Sequence, residues 1–394
     1  MSTWQLTDLV SRPTAPRFDR GRTYWRDLDW IMLVAAFSLT IFGCLLVWSA
    51  SKADMASPTD PYSFLKKHLI NVLIALVLGF VASRLDYRWL RAYTPVIYGA
   101  SCFVLLLPFV PGIGTRIAGA QAWIALPGGF TLQPSEFAKI AVILMMAAIL
   151  SEKRDIESEP RDKDVLLSLG LAIVPILIVL IQNDTGTVLV MGAVVISVIA
   201  VSGARTRWVV TLIGGAALGI LLAIQLGLLK QYQVARLTSF INPAADSGGS
   251  SYNAAQARIA IGGGGLTGYG LFNGPQTQGR FVPVNESDFI FTVVGEELGF
   301  IGSMLLILLL AVILWRAIVI AYRADDLYGR LVCTGVIAWF AFQLFENIGM
   351  TLGIMPITGI PLPLVSSGGT SMMAVWIGIG LLQNVRLHAV RNSP

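Results

Sequence analysis

The chain is built from apolar stretches close to 20 residues long, which recur from Asp29 to near its C-terminus. A helix needs roughly 20 predominantly apolar residues to cross a bilayer. By that rule ten spans are expected, at 30–49, 68–83, 93–110, 135–150, 165–182, 186–203, 208–229, 289–315, 329–350 and 368–385. Composition agrees. The 394 residues are 55% hydrophobic and 13% charged, against about 25% charged in a soluble domain. The expected fold class is therefore an all-α polytopic membrane protein. It divides into a polar tail at 1–28, a membrane domain at 29–385 and a short tail at 386–394. The first 28 residues are Arg-rich and lack the short apolar core and cleavage site of a secretory signal.

The positions of the cations orient the spans, since cytoplasmic loops carry the excess of Lys and Arg. With both termini inside, nineteen Lys and Arg residues fall in cytoplasmic segments and eight in outer ones, with Lys139 inside a span. The net charge of +5 thus reports orientation, and no nucleic-acid partner is expected. Cys44, Cys102 and Cys333 each lie in an apolar run and fit no disulfide framework or metal motif. With only His68 and His388 present, a histidine metal site is not expected.

Under this orientation the irregular polar sequence lies outside. The largest piece is the loop 230–288 between spans seven and eight. Structureless loops beyond about 12–15 residues are uncommon and are functional or disordered. This one carries Tyr252, Phe272, Phe281 and many glycines, and so is not composed like a linker. Segment 111–134 is Gly- and Pro-rich yet keeps Trp123 and Ile124, as a re-entrant or interfacial loop would. A third outer loop covers 351–367.

Several residues could carry chemistry. Asp288, in ESDFIF, sits where the long loop meets span eight. It is either a helix N-cap or a general base at the membrane edge. Glu296 and Glu297 lie further in. Intramembrane carboxylates are costly, so one is expected to pair with a cation and the other to face water. Glu136 and Lys139 of QPSEFAK share a helix face, as a structural ion pair or as a cation aimed at a cavity. Asp184 of QNDTGT reads as a turn residue. Arg236 could grip a phosphate or rim the loop. Ser366 and Ser371, in PLVSSGGTS, could contact a ligand or cap the last span. IGGGGLTGYG contains a formal G-x-G-x-x-G, but no strand precedes it. A nucleotide cofactor is therefore not expected; the glycines suit tight turns and close backbone approach.

The motifs GAQAWI, QPSEFAK, QNDTGT, RLTSFINP, QARIAIGGGGLTGYGL, FVPVNESDFIFTVVGEELGFIG and PLPLVSSGGTS, in this order, resemble the SEDS family (shape, elongation, division and sporulation), the RodA/FtsW proteins of bacteria. The likeness runs over nearly the whole chain from Asp29, and PQTQGRFVP looks more like RodA. The resemblance implies a peptidoglycan glycosyltransferase that polymerises lipid II on the outer face of the bacterial cytoplasmic membrane. It implies that Asp288 is the catalytic carboxylate and that Glu136, Lys139, Asp184 and Arg236 line the cavity. It further implies the nascent glycan strand as a second substrate and a class B penicillin-binding protein as partner. A divalent cation, Mg or Mn, would assist Lys139 and Arg236 at the leaving group, through ligands the sequence does not name. The chain departs from the family pattern at Ala122, where an Arg is usual, at Lys67-His68, where Arg-Gln is usual, at Ser367 for an aromatic, and at Ser287 for Thr. Lys67 then stands as the cation at the start of span two. Two rival readings are a lipid II flippase and a non-catalytic scaffold for a partner synthase. Polar intramembrane residues cluster at outer span ends, which favours the enzyme.

Overall fold

The computed structural model describes residues 22–52, 62–117, 119–152, 160–227, 233, 234, 236, 240 and 249–392. In chain order the helices are α1 (Arg22–Asp27), α2 (Trp30–Lys52), α3 (Ser63–Arg84), α4 (Tyr87–Leu106), α5 (Pro134–Leu150), α6 (Asp162–Ile181) and α7 (Thr185–Val201). There follow α8 (Thr206–Gln225), α9 (Ser250–Gly263), α10 (Pro275–Gln278), α11 (Ile290–Tyr322), α12 (Leu327–Leu352) and α13 (Gly369–Asn392). A helix therefore occupies each of the ten expected spans. Eight are long and apolar enough to cross a membrane. The other two, α5 and α7, have 17 residues each, about 25 Å of helix.

Capping explains several boundaries. The side chains of Asp86, Asp184 and Asp326 accept backbone N–H groups at the starts of α4, α7 and α12. Pro134 opens α5, where its missing N–H costs nothing. Gly353, at φ 78°, ends α12 in the left-handed conformation.

The core is formed by the facing sides of α2, α5, α7, α11, α12 and α13. Without a hydrophobic force between helices in lipid, close packing depends on small residues. Between α3 and α13 that residue pair is Gly79 and Gly380: a Cβ on Gly380 would lie 2.3 Å from Gly79 O. Helix α8 packs on α7 and buries none of its own residues. At one end of the bundle Asp29, 1% exposed, accepts from Arg316 at 2.6 Å and from Arg386. This clamp joins the two ends of the chain. Tyr24 and Leu28 also pack against Leu387, so the bundle includes residues from 22 onward and extends past 385, beyond the limits expected for the tails.

Two features lie outside the plain helical reading. First, segment 111–134 forms a three-stranded antiparallel sheet, β1 (Gly114–Ile117), β2 (Ala120–Leu126) and β3 (Phe130–Leu132), with Thr115 opposite Trp123 and Ile124 opposite Leu132. Gln121 N donates to Gln182 O at 2.9 Å, which pins the sheet to the α6–α7 turn. Ala122 is fully buried there.

Second, α11 is broken at Gly299, whose φ of 65° and ψ of −159° are not helical. A break strands backbone groups that must find partners elsewhere. The glycine loop after α9 supplies them. Tyr269 N and Gly270 N donate to Glu296 O and Glu297 O at 3.0 and 2.9 Å, while Phe300 N and Ile301 N donate to Gly265 O and Leu266 O at 2.9 and 3.1 Å. Such backbone contact excludes side chains: a Cβ at Gly264 would lie 1.9 Å from Gly295 O. The run that mimics a nucleotide motif is thus a splint for a broken helix.

Glu296 and Glu297 complete this joint, and among the described residues neither pairs with a cation. Glu296, 1% exposed, accepts from Gln276 N at 2.6 Å, Thr277 N at 2.8 Å and Thr277 Oγ1 at 2.6 Å. Glu297, fully buried, accepts from Ser49 Oγ at 2.7 Å. The cation and water expected for them are replaced by loop amides and a serine hydroxyl, since backbone N–H groups can solvate a carboxylate as well as a cation can. Between them they fasten loop 274–278 to α11.

Candidate active site

The ends of α5, α7, α11, α12 and α13 that lie away from the Asp29 clamp converge on the segment around Asp288. Asp288 is not the cap of α11. That position is Phe289, and no side chain caps it. Instead the turn before α11 is held from both sides. Asn347 Nδ2, from α12, donates to Asp288 O at 2.8 Å and to Ile360 O at 2.7 Å. Ser366 Oγ donates to Ser287 O at 2.7 Å and accepts from Leu362 N at 2.7 Å. Ser367 N donates to Glu286 O at 3.0 Å. Val284 adopts φ 56°, which is costly for a β-branched residue; its carbonyl accepts from Ser287 N at 3.2 Å. The backbone is therefore fixed while the carboxylate stays available.

That carboxylate is partly buried and accepts from Ser287 Oγ at 2.9 Å. Oδ2 lies 3.1 Å from where a Cβ on Gly359 would stand, so a side chain there would crowd it, and the φ of 75° at that position suits glycine. Crowding by protein atoms pushes its pKa from 3.8 up to about 6, against the Ser287 hydrogen bond that lowers it. Glu286 and Asp184 raise it further and Arg236 opposes them. Asp184 and Arg236 are thus both within electrostatic reach of Asp288.

Asp184 does more than turn the chain. One oxygen caps α7 through Thr187 N at 3.1 Å; the other accepts from Gln133 Nε2 at 2.8 Å and Ser135 Oγ at 3.3 Å. Arg236 reaches Thr358 O at 3.3 Å through Nη1; most of the RLTSFINP motif around it lies outside the described residues.

The Glu136–Lys139 pair is placed differently from a cavity-facing cation. Both are 2% exposed or less, 2.8 Å apart. Lys139 Nζ also lies 3.4 Å from Gln343 Oε1 and 4.6 Å from the Trp339 ring centre. Gln343 Nε2 in turn holds Pro361 O at 2.7 Å. The pair is therefore linked through Gln343 to the 358–361 segment. Ser371 is buried at the start of α13, its Cβ 3.2 Å from where a Cβ on Gly368 would stand. Lys67 is exposed, its Nζ close over Gly129 of the sheet loop. It makes no hydrogen bond or ion pair among the described residues. His68 beside it is buried, and among the described residues neither ring nitrogen has a partner.

Sequence reasoning passed over Gln343, Asn347, Gly359 and Thr370. The first two had a signal: amides four residues apart on one face of an apolar helix. Thr370 Oγ1 accepts from Gln133 N at 3.1 Å and donates to Thr131 O at 3.3 Å, joining α13 to the sheet and α5. A cavity of about 290 Å³, which Asp288 itself does not line, opens between Ala50, Phe64, Arg280, Val284, Asn285 and Glu286. Among the described residues no three His, Cys, Asp or Glu side chains are grouped as metal ligands.

The chain is 37% identical to stage V sporulation protein E of Bacillus subtilis, over 92% of this chain and 97% of that one. It is 35% identical to a probable peptidoglycan glycosyltransferase FtsW of Geobacter metallireducens, over 91% and 94% of the two chains. It is 34% identical to the peptidoglycan glycosyltransferase MrdB of Escherichia coli, over 93% and 96%. Among solved structures, a chain of a peptidoglycan synthase complex, described as coordinating polymerization and crosslinking, superposes with TM-score 0.75. It has 28% identity and covers 93% of this chain and 99% of that one. The rod shape determining protein RodA of Thermus thermophilus superposes with TM-score 0.67 at 28% identity, covering 94% and 99%. A profile for the FtsW, RodA and SpoVE cell cycle proteins matches residues 29–391. This multi-pass membrane chain therefore belongs to the FtsW/RodA/SpoVE family of cell cycle proteins.

Proposed function

We propose that the protein is a peptidoglycan glycosyltransferase that polymerises lipid II at the outer face of the bacterial cytoplasmic membrane. The relatives' names support the activity; the Lys and Arg distribution supports the side. One observation carries the mechanism: a carboxylate with a fixed backbone, an open side chain and a pKa raised to about 6. A general base works best with a pKa near the operating pH.

In the proposed step a sugar hydroxyl of the acceptor lipid II attacks the anomeric carbon of the growing glycan. The new C–O bond forms as the bond from that carbon to the phosphate oxygen breaks. The hydroxyl proton passes to Asp288, and the lipid diphosphate leaves with the electron pair. Arg236 offsets the leaving group's charge. Lys139, Glu136 and Gln343 are positioning residues, because they reach the site only through Pro361. Asp184, Ser366 and Ser371 shape the same wall. Lys67 joins only if the sheet loop closes over a substrate. A divalent cation, Mg or Mn, would come with the diphosphate and keep most of its waters, needing only one or two carboxylates; Asp288, with Asp184 in its electrostatic surroundings, is the carboxylate that would hold it. Its chemistry there is charge neutralisation. The chain's likeness to a subunit of a synthase complex supports a class B penicillin-binding protein as partner.

The test is polymerisation of labelled lipid II by purified protein, with and without that partner. Asp288→Asn is expected to lower the rate by roughly 10²–10⁴, the usual worth of a general base. Normal polymerisation by the folded variant would refute the role of Asp288 and favour the scaffold reading.

A further inference from the structure

At the end of the bundle opposite Asp288, α1, α2, α3 and α13 enclose a cavity of about 300 Å³. Its lining is almost wholly carbon, with Trp25, Trp30, Phe37, Leu76, Phe80 and Trp376 as its main walls. The space exists because the helices touch through Gly79 and Gly380, which project nothing into it. The rings are ordered. Trp25 stacks on Phe80 at 6.3 Å and 22° and on Trp30 at 6.4 Å and 23°. Trp30 Nε1 donates to Trp25 O at 2.8 Å. Tyr24 is tied to Ser83 at 2.6 Å.

Against two of the lining rings stands Arg84. Its guanidinium carbon lies 4.4 Å from the Tyr24 ring centre and 5.8 Å from that of Phe80. Among the described residues it has no carboxylate partner. In the chain segments that flank it, Arg26 and Arg88 with Arg84 outnumber the two carboxylates, Asp27 and Asp86, the latter accepting from Arg88 N at 2.9 Å. Stacking holds the guanidinium in one place, where a lysine in lipid would snorkel freely. The arrangement offers an apolar slot beneath a fixed fork of N–H donors, matching the acyl chain and phosphate of a phospholipid. The local excess of arginine selects a lipid with net negative charge.

We propose that this cavity holds one anionic phospholipid, its acyl chain along Phe37, Leu76 and Trp376 and its phosphate on Arg84. This site is separate from the glycosyltransferase reading and does not depend on it.

The test is native mass spectrometry of the full-length protein with added phosphatidylglycerol or phosphatidylcholine of the same chain length. One phosphatidylglycerol is expected to be retained about tenfold more strongly, the worth of one charge-assisted hydrogen bond. Arg84→Gln should bring the two lipids to parity, and Arg84→Lys should keep part of the preference. Leu76→Trp fills the slot and leaves Arg84 in place, so it should weaken retention of both lipids. Thermal unfolding of each variant identifies any that fail to fold, and the three variants fail independently. Equal retention of both lipids by the parent, no retained lipid at all, or unchanged retention in a folded Leu76→Trp variant would each overturn the proposal.

Discussion

Replacing Asp288 with Asn should make the protein more stable while making it inactive, and the gain should depend on pH. The variant keeps the side chain's shape and its acceptor for Ser287 Oγ but carries no charge. In the parent the carboxyl pKa rises from 3.8 to about 6, chiefly because burial disfavours the ionised form. At 1.36 kcal/mol per pKa unit, that is about 3 kcal/mol held against the fold when the group is ionised. The side chain is partly open to solvent, so a gain of about 1–3 kcal/mol is the realistic range. The sign follows from the direction of the shift. The protonated group favours the fold below about pH 4, and that contribution is lost as pH rises through about 6. The variant should therefore match the parent near pH 4 and exceed it by its full margin at pH 7.5, a few degrees in Tm. Polymerisation by the parent should fall as pH drops below about 6, where the base becomes protonated. Thermal unfolding of both proteins across pH 4–8, with lipid II assays alongside, checks all of this. A variant less stable than the parent at pH 7.5, or a stability gap that ignores pH, would refute the idea of a carboxylate held against its own charge.

Other outcomes follow from particular contacts. Asn347→Leu leaves Asp288 O and Ile360 O without their donor; it should cost roughly 2–4 kcal/mol, since each abandoned buried group costs about 1–3. It should also lower kcat more than it raises KM, measured by steady-state polymerisation. Gly268→Ala places a Cβ 2.2 Å from Glu297 O at φ 76°, so the protein should lose several degrees in Tm or fail to accumulate in membranes. Glu296→Ala strands Gln276 N and both donors of Thr277. Limited proteolysis should then cut the 274–288 segment faster than in the parent, while cleavage elsewhere stays unchanged.

The spans were legible because lipid demands a narrow range of length and polarity, which eight of the ten apolar helices meet alone. Asp288 was legible by position, at the junction of a long polar loop and an apolar helix. Its manner of attachment was not. Asn347 and Ser366 hold the neighbouring carbonyls from 59 and 79 residues away in the chain, and no local pattern reports such distances. One of Glu296 and Glu297 was expected to find a cation and the other water, because charge is visible in a sequence and a cluster of loop N–H groups is not. Lys139 shows the converse. Its spacing from Glu136 announced the pair, but burial depth depends on Trp339 and Gln343, which come from a helix late in the chain. The break in α11 was hidden because Gly299 sits within a run that satisfies every hydropathy rule. Its splint lies some thirty residues earlier, in a stretch whose glycines suggested turns.

An unbroken helix of 33 residues would be about 50 Å long, far more than the roughly 30 Å of hydrocarbon it must cross. From Gly299 to Tyr322 alone, α11 runs about 36 Å, which is enough. The piece above the break is therefore released from the task of spanning, and its direction is set by the glycine loop instead of by the bilayer. Membranes of different thickness would change the tilt of the lower piece but not the spacing between Asp288 and the loop that braces its helix. The depth of the carboxylate is measured from protein, not from lipid. A cell could alter its membrane without moving Asp288 relative to the residues packed around it.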